Sequence, residues 1–200
     1  IRDSRDPAVR RAVGGDVDAD VVAQKTALRT QALTGRLAGG DAAALAANLR
    51  RALAPHAGRV LAGYWPMRGE ADPRPAMDAH NGPLCLPVVP GRGQPLVFRL
   101  WRGEALVPGS FGTSHPPDSA PEVTPEVLIV PLVGFDAGLN RLGYGGGFYD
   151  RTLARLRAAG PVTAIGLGWA GQQLPAISAT ATDERLDAIV TDRGILATPA

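Results

Sequence analysis

Apolar residues recur at helical spacing in four segments of the chain. Asp16, Asp18 and Asp20 lie at the start of the first segment, where negative charge favours a helix amino terminus, and the segment ends before Gly39 and Gly40. Asp41 is placed to cap the second helix, which stops before Pro55. The predicted helices are residues 18–37, 42–53, 75–80 and 148–159.

Short apolar or alternating runs predict strands between these helices. The run 127–130 is apolar throughout, which is typical of a strand buried on both faces in a parallel sheet. Residues 103–125 are rich in glycine, proline and serine and are predicted to form a long loop, and 134–147 are predicted to form a glycine-rich loop. The predicted strands are 59–65, 84–89, 96–101, 127–130, 162–167 and 186–190.

Strands that alternate with helices predict an α/β fold with a mostly parallel sheet covered on both faces. A chain of 200 residues fits one such domain better than two. We expect residues 1–15 to form a flexible tail and 16–200 to form the domain. In such sheets ligands bind beyond the carboxyl ends of the strands, where the glycine-rich loop after Val130 is expected.

The glycine-rich loop has the properties of an anion site. Gly143 and the run 145–147 lack side chains and permit positive φ, so several backbone N–H groups can turn toward one point. The helix that follows adds its positive end. Arg141 and Arg151 flank the glycines, and Asp150 is a candidate Mg²⁺ ligand beside bound phosphates. A flexible surface turn remains the alternative.

The first helix carries a second cationic feature. Lys25, the only lysine, and Arg29 are one helical turn apart and lie within the apolar arc that contains Leu28 and Ala32. Two like charges on a buried face are costly unless an anion is near, and phosphate is one candidate. The alternative is that both side chains extend past the apolar stripe to water.

Composition excludes several classes of protein. The net charge is +2, and the arginines are scattered without basic runs or interleaved aromatics, which argues against nucleic acid or a membrane surface as partner. Cys85 is the only cysteine, so an intrachain disulfide and a cysteine metal cluster are excluded. No signal peptide or long apolar stretch is visible, so we expect a cytoplasmic location. We also expect a monomer.

Four motifs in order resemble those of the 5-formyltetrahydrofolate cyclo-ligase family, over about residues 20–197. The most specific is Gly134-Phe-Asp followed by Asn140-Arg-Leu-Gly-Tyr-Gly-Gly-Gly-Phe-Tyr-Asp150. The others are Lys25-Thr-Ala-Leu-Arg29, Gly63-Tyr-Trp-Pro-Met-Arg-Gly-Glu70, and the pair formed by Gly166-Leu-Gly through Gln172 and Asp183-Glu-Arg-Leu-Asp187 through Thr191.

The resemblance implies a three-layer α/β/α sandwich and an enzyme that uses ATP and Mg²⁺ to convert 5-formyltetrahydrofolate to 5,10-methenyltetrahydrofolate, ADP and phosphate. It implies catalytic roles for Lys25, Glu70 and Arg141, and folate contacts for Trp65, Met67, Glu70 and Tyr144. Asp150 and Asp187 are the implied metal ligands. The implied ATP contacts are Lys25, Arg29, Arg141, Leu142, Gly143, Tyr144, Gly145, Gly146, Gly147, Phe148 and Tyr149.

Some residues depart from the family pattern. Phe148 stands where many members have tyrosine, Gly146 where some have lysine, and His115 where many have glutamate. Three alternatives therefore stay open: a non-catalytic nucleotide-binding or folate-binding member, a sugar-phosphate isomerase on a similar sheet with Glu70 as base, and a nucleic-acid-binding protein.

Overall fold

The computed structural model describes residues 7–197, with side chains from residue 22 onward. Its helices are α1 (Pro7–Leu37), α2 (Ala42–Leu53), α3 (Arg74–Met77) and α4 (Phe148–Ala159). Its strands are β1 (Leu61–Ala62), β2 (Leu84–Val88), β3 (Val97–Trp101), β4 (Val107–Pro108), β5 (Ser114–His115), β6 (Val127–Pro131), β7 (Gly134–Phe135), β8 (Arg141–Leu142), β9 (Thr163–Leu167), β10 (Ala188–Thr191) and β11 (Gly194–Ala197).

A seven-stranded sheet with the order β11-β10-β9-β6-β1-β2-β3 forms the centre of the domain. Neighbouring strands from β10 to β2 are parallel. The two edge strands, β3 and β11, are antiparallel to their neighbours. This confirms the predicted mostly parallel α/β sheet. Two short hairpins, β4–β5 and β7–β8, lie outside it.

Side-chain alternation along the buried strands creates two apolar layers. In β6, Val127 and Ile129 pack with the leucines of α2, whereas Leu128 and Val130 pack with Leu153 of α4. These four residues, 127–130, are inaccessible to solvent. Because successive side chains of a strand point to opposite faces, one five-residue strand contributes to both layers of a three-layer sandwich.

The sequence placed most elements correctly but missed several boundaries. Helix α1 begins at Pro7 rather than near residue 18, so it includes residues 7–15 of the predicted tail 1–15, while residues 1–6 lie outside the described residues. Strand β1 keeps only two of the residues predicted for 59–65. The predicted loop 103–125 contains β4 and β5, and β11 was not predicted.

The carboxyl-terminal half of α1 packs on loops at the carboxyl edge of the sheet. Ala32 and Leu28 pack with Val133, which follows β6, and with Leu142, which lies in β8. At Gly35 a Cβ atom would lie 1.8 Å from the carbonyl oxygen of Gly171, so the two backbones meet with no side chain between them. This packing carries the cationic face of α1 over the strand ends. None of the helices within residues 7–197 combines the length and apolar character needed to span a bilayer.

Candidate functional site

A cavity of about 1070 Å³ opens at the carboxyl edge of the parallel strands. Its wall combines α1, the loop after β1, the glycine-rich loop, the start of α4 and the segment before β10. It contains every site residue predicted from the sequence except Asp187: Lys25, Arg29, Trp65, Met67, Glu70, Arg141, Leu142, Gly143, Tyr144, Gly145, Gly146, Gly147, Phe148, Tyr149 and Asp150.

The glycine-rich loop adopts a backbone that only glycine accommodates easily. Gly145 and Gly147 have φ values of +94° and +63°, and Gly147 forms the left-handed residue just before α4. At Gly146, a Cβ atom would lie 2.8 Å from the ring of Phe148. The predicted role of these glycines in a special backbone conformation therefore agrees with the structure.

Arginines hold the carbonyl groups of this loop. Arg29 donates from Nε to the carbonyl oxygen of Gly143 at 2.9 Å, and Arg151 donates from Nη2 to that of Gly146 at 2.6 Å. In a trans peptide the N–H group points opposite to the C=O group. The amides of Tyr144 and Gly147 are thus turned away from these arginines.

The loop amides are free to bind an anion. Within the described part of the chain, the backbone N–H groups of residues 145–147 donate no hydrogen bond. The amino-terminal turn of α4, which begins at Phe148, adds further unpaired N–H groups and a positive dipole end. Phosphate is the anion that such a cradle suits best.

A buried turn fixes the base of the loop. The carboxylate of Asp136, only 4% exposed, accepts hydrogen bonds from the backbone and side-chain amides of Asn140 and from the amide of Ile177 at 2.9–3.1 Å. Asp136 and Asn140, which belong to the family motif, therefore close the turn that precedes the cradle and join it to the segment at Ile177.

The two cations of α1 both reach the cavity. Lys25 does not extend to bulk solvent; its ammonium lies 2.6 Å from the carboxylate of Asp183 and its side chain is 15% exposed. Arg29 binds the glycine loop instead of a carboxylate. Burial raises the pKa of Asp183, but hydrogen bonds from Lys25 and Thr180 and the charge of Lys25 outweigh burial and leave the pKa below its ordinary value.

Arg141 and Asp150 form a second ion pair in the wall. Nη2 of Arg141 donates to Oδ1 of Asp150 at 2.9 Å, and the amide of Glu184 donates to the same oxygen at 3.3 Å. The side chains of Arg141 and Asp150 are 5% and 19% exposed. The Nε atom of Arg141 is buried and has no partner among the described residues, so the guanidinium keeps a free donor at the site.

Asp187 does not reach the cavity, contrary to the expectation from the sequence. Its carboxylate accepts hydrogen bonds from the amide of Ala164 at 2.7 Å and from Arg157 at 3.2 Å. Asp187 directly precedes β10, so it lies at the amino end of a parallel strand, opposite the edge that bears the site. Asp183, four residues earlier, lines the cavity instead.

The carboxylates of Asp150 and Asp183 fit a magnesium site better than the predicted pair does. Both line the same cavity as the phosphate cradle. Within the described residues there is no cluster of three metal-ligating side chains that would hold an ion without help. One or two carboxylates that share the ion with phosphate oxygens are the usual Mg²⁺ arrangement in nucleotide-dependent enzymes.

The other wall of the cavity suits a flat, partly apolar ligand. Trp65 and Met67 lie on the loop after β1, and the exposed ring of Tyr144 faces them from the glycine loop. Burial raises the pKa of Glu70, although the Met67 amide, which donates to its carboxylate at 3.1 Å, and nearby arginines oppose the effect. Apolar walls with one polar anchor are typical of sites for aromatic heterocycles.

Solved structures share this fold. The NMR structure of 5,10-methenyltetrahydrofolate synthetase from Aquifex aeolicus superposes with a TM-score of 0.69 at 24% identity and covers 88% of this chain and 93% of that one. A 5,10-methenyltetrahydrofolate synthetase from Mycoplasma pneumoniae gives a TM-score of 0.61 at 24% identity, covering 84% of this chain and 98% of that one. At this identity the likeness concerns the fold.

The sequence profile of the 5-formyltetrahydrofolate cyclo-ligase family matches residues 23–192. The chain belongs to this family. A 5-formyltetrahydrofolate cyclo-ligase from Mycolicibacterium smegmatis is 33% identical over 119 residues, 54% of this chain and 61% of that protein. One from Haemophilus influenzae is 36% identical over 83 residues, 40% of this chain and 44% of that protein. The chain thus aligns with less than two thirds of either relative.

The departures from the cyclo-ligase family pattern now have a structural setting. The ring of Phe148 packs against Phe111 of the β4–β5 segment, with centroids 5.8 Å apart, and lies under the guanidinium of Arg151. Phe148 therefore contributes an apolar contact between two walls of the cavity. Nδ1 of His115 forms a hydrogen bond with the carbonyl oxygen of Pro116 at 2.7 Å. The nearby residues Thr113 and Ser114 line the cavity.

Sequence reasoning assigned no specific role to several wall residues of this cyclo-ligase family member. Asp183 begins the Asp183–Asp187 motif, but the family resemblance implied Asp187 as the metal ligand, and nothing in the spacing distinguishes the two carboxylates. Tyr64 and Arg68 stood inside the Gly63–Glu70 motif without an assigned role. Phe111 belongs to the predicted loop 103–125, where no periodicity indicated a direction for its side chain.

Proposed function

We propose that this protein is an ATP-dependent 5-formyltetrahydrofolate cyclo-ligase. The observation that carries the proposal is one cavity in which the cations of α1, the glycine cradle and the wall around Trp65 and Glu70 meet. A phosphate site and a heterocycle site that share one cavity suit a transfer from nucleotide to folate. Membership of the family supports the same reaction.

The chemistry begins with an amide carbonyl, which is a poor electrophile. ATP transfers its γ-phosphoryl group to the formyl oxygen of 5-formyltetrahydrofolate and leaves as ADP. N10 then attacks the activated formyl carbon and gives up its proton, the carbon–oxygen bond breaks, and phosphate departs. The product is 5,10-methenyltetrahydrofolate. Each step depends on the protein mainly for positioning and for stabilising charge.

The cationic residues of the cavity would balance the phosphate charge. Lys25 and Arg141 line the same cavity as the cradle, and each forms an ion pair with a carboxylate. Arg29 holds the Gly143 carbonyl, so it both shapes the loop and adds positive charge. Glu70 would orient the folate through a ring nitrogen or the formyl group, and Trp65, Met67 and Tyr144 would pack against the pterin.

Asp150 and Asp183 would hold Mg²⁺ together with phosphate oxygens. A bound magnesium ion would neutralise charge on the phosphates and align the γ-phosphoryl group. The protein's own contribution is to keep both carboxylates in the wall: the Thr180 amide donates to Asp183 at 2.8 Å, and the Glu184 amide donates to Asp150.

One assay tests the proposal. Purified protein, 5-formyltetrahydrofolate, MgCl₂ and ATP are mixed, and the methenyl absorbance is followed with and without ATP. We expect ATP-dependent product with equal release of ADP. Binding of both ligands without product would support the non-catalytic alternative, and turnover of a sugar phosphate without ATP would support the isomerase alternative.

The remaining proposals concern partners and assembly. We propose that the protein is a monomer, and light scattering behind a sizing column tests this proposal. Filter binding at two salt concentrations tests the nucleic-acid alternative, which we do not favour because the arginines are scattered along the chain and aromatic residues are few. The cytoplasmic location stays a prediction.

A further inference from the structure

Arg36 is a buried arginine that the proposed chemistry does not use. It belongs to the last turn of α1 and is only 4% exposed. No carboxylate forms a salt bridge with it among the described residues. A buried charge is costly unless its donors are satisfied, so its position calls for a physical explanation.

The guanidinium of Arg36 joins three segments of the cavity wall. Nη2 donates to the carbonyl oxygen of Leu132, just after β6, at 2.8 Å. Nη1 donates to the hydroxyl of Tyr144 at 2.6 Å and to the carbonyl oxygen of Arg68 at 3.3 Å. Its Nε has no partner among the described residues. One side chain thus links the sheet edge, the loop after β1 and the glycine loop.

Tyr144 depends on this contact for its orientation. Its ring is 46% exposed, so little packing holds it. The guanidinium groups of Arg36 and Arg68 lie 5.6 Å and 5.5 Å from the ring centroid. The only hydrogen bond that the Tyr144 hydroxyl makes within the described residues comes from Arg36. Burial raises the pKa of Glu70, and the same guanidinium lies close enough to that carboxyl to oppose the rise.

We propose that Arg36 is a positioning residue that sets the folate half of the cavity. It holds Tyr144 and the 66–70 loop at a fixed separation from the end of β6, so that the tyrosine ring and the Glu70 carboxylate face the same ligand. The nucleotide half has its own fixed points, Arg29 and Arg151 on the loop carbonyls. Loss of Arg36 therefore weakens folate binding more than ATP binding. The assignment of the ligand rests on the proposed function.

The test compares Arg36→Met, Arg36→Lys and Tyr144→Phe with Arg50→Met, a matched change at an exposed arginine of α2. Initial rates give KM for 5-formyltetrahydrofolate, KM for ATP and kcat. We expect Arg36→Met to raise the folate KM about tenfold or more with less than a threefold change in ATP KM. Arg36→Lys, which keeps one donor, should recover part of the loss, and Arg50→Met should match the wild type.

A double-mutant cycle separates positioning from general destabilisation. If Arg36 acts on folate through Tyr144, Arg36→Met/Tyr144→Phe binds folate no more weakly than Arg36→Met alone. Additive losses, or equal rises in both KM values, would overturn the proposal. Thermal melts identify any variant that fails to fold. If the Arg36 variants fail to fold, Tyr144→Phe, which removes only one hydroxyl, is used by itself to compare the KM for folate with the KM for ATP.

Hydrogen exchange tests the same role without any ligand. Relative to the wild type, Arg36→Met should lose amide protection in the peptide that covers 66–70, where the amides of Met67 and Glu70 donate hydrogen bonds, whereas Arg50→Met should not. Unchanged exchange in this segment would overturn the positioning role even if the protein proved inactive as a cyclo-ligase. Conversely, an inactive wild type with the expected exchange pattern would reject the proposed function and keep the role of Arg36 in the cavity wall.

Discussion

Asp183 and Asp187 carry the same carboxylate four residues apart, but we predict that only the loss of Asp183 weakens metal binding. Asp183 lines the cavity beside Lys25, while Asp187 binds Arg157 and the amide of Ala164. Replacing each with asparagine removes one negative charge and almost no volume. A comparison of the two variants therefore shows which carboxylate binds the metal.

The expected size of each effect follows from its contacts. In Asp183→Asn the Thr180 amide keeps an acceptor, so the change is essentially the loss of charge at the site. Hydrogen bonds and contacts to charged groups contribute about 1.5–3 kcal/mol, which corresponds to roughly 10- to 150-fold in apparent Mg²⁺ affinity. Asp187 is 48% exposed, so its ion pair contributes about 1 kcal/mol or less. Asp187→Asn should lower Tm by roughly 4 °C at most.

The assay is the rate of methenyl formation against free Mg²⁺ at saturating ATP, with Mn²⁺ binding by electron paramagnetic resonance as a readout independent of turnover. We expect Asp183→Asn to shift both curves and Asp187→Asn to shift neither. If Asp183 only balanced the charge of Lys25, its asparagine variant would bind ATP more tightly with an unchanged metal requirement. That result, or a metal shift in Asp187→Asn, would refute the assignment.

Three further predictions follow from single contacts. Gly147→Ala forces a side chain to φ +63° and within 2.6 Å of Arg151, so it should lose about 1–2 kcal/mol in denaturant unfolding, whereas Gly160→Ala, with extended φ and open space, should not. Burial raises the pKa of Glu70 in the folded protein, so wild-type stability falls as pH rises from the ordinary carboxyl pKa to the raised one. The Tm of Glu70→Gln should therefore gain on that of the wild type across this pH range. A Tm difference independent of pH would contradict this reasoning. ATP should protect Lys25, the only lysine, from reductive methylation followed by mass spectrometry, and equal labelling with and without ATP would argue against its contact with phosphate.

The sequence predicts those parts of the fold and site that local patterns determine. The apolar run of β6 and the helical period of α4 gave their positions within one residue. The glycine run indicated its backbone conformation because only glycine adopts positive φ without strain. Strand β1 was predicted too long, since apolar residues after Ala62 line the cavity and the core rather than pair with neighbours.

Contacts between distant segments were not predictable from local patterns. The period of α1 indicated that Lys25 lies on a buried face, but not that its partner would be a carboxylate 158 residues away. The choice between Asp183 and Asp187 depends on where the chain turns into β10, and both stand in equally polar surroundings in the sequence. Arg36 reads as an ordinary basic residue at a helix end, where it would favour the helix dipole.

The contact between Gly35 and Gly171 has a consequence for the whole nucleotide site. Successive residues of an α-helix are turned by about 100° about the helix axis, so a rotation of α1 by that amount would carry Lys25 and Arg29 out of the cavity. Side chains can shift to absorb such a rotation, but two backbones in direct contact cannot. The rotation of α1 about its axis, and with it the direction of both cations, is therefore restrained by a junction of two glycine backbones in addition to the packing of Leu28 and Ala32.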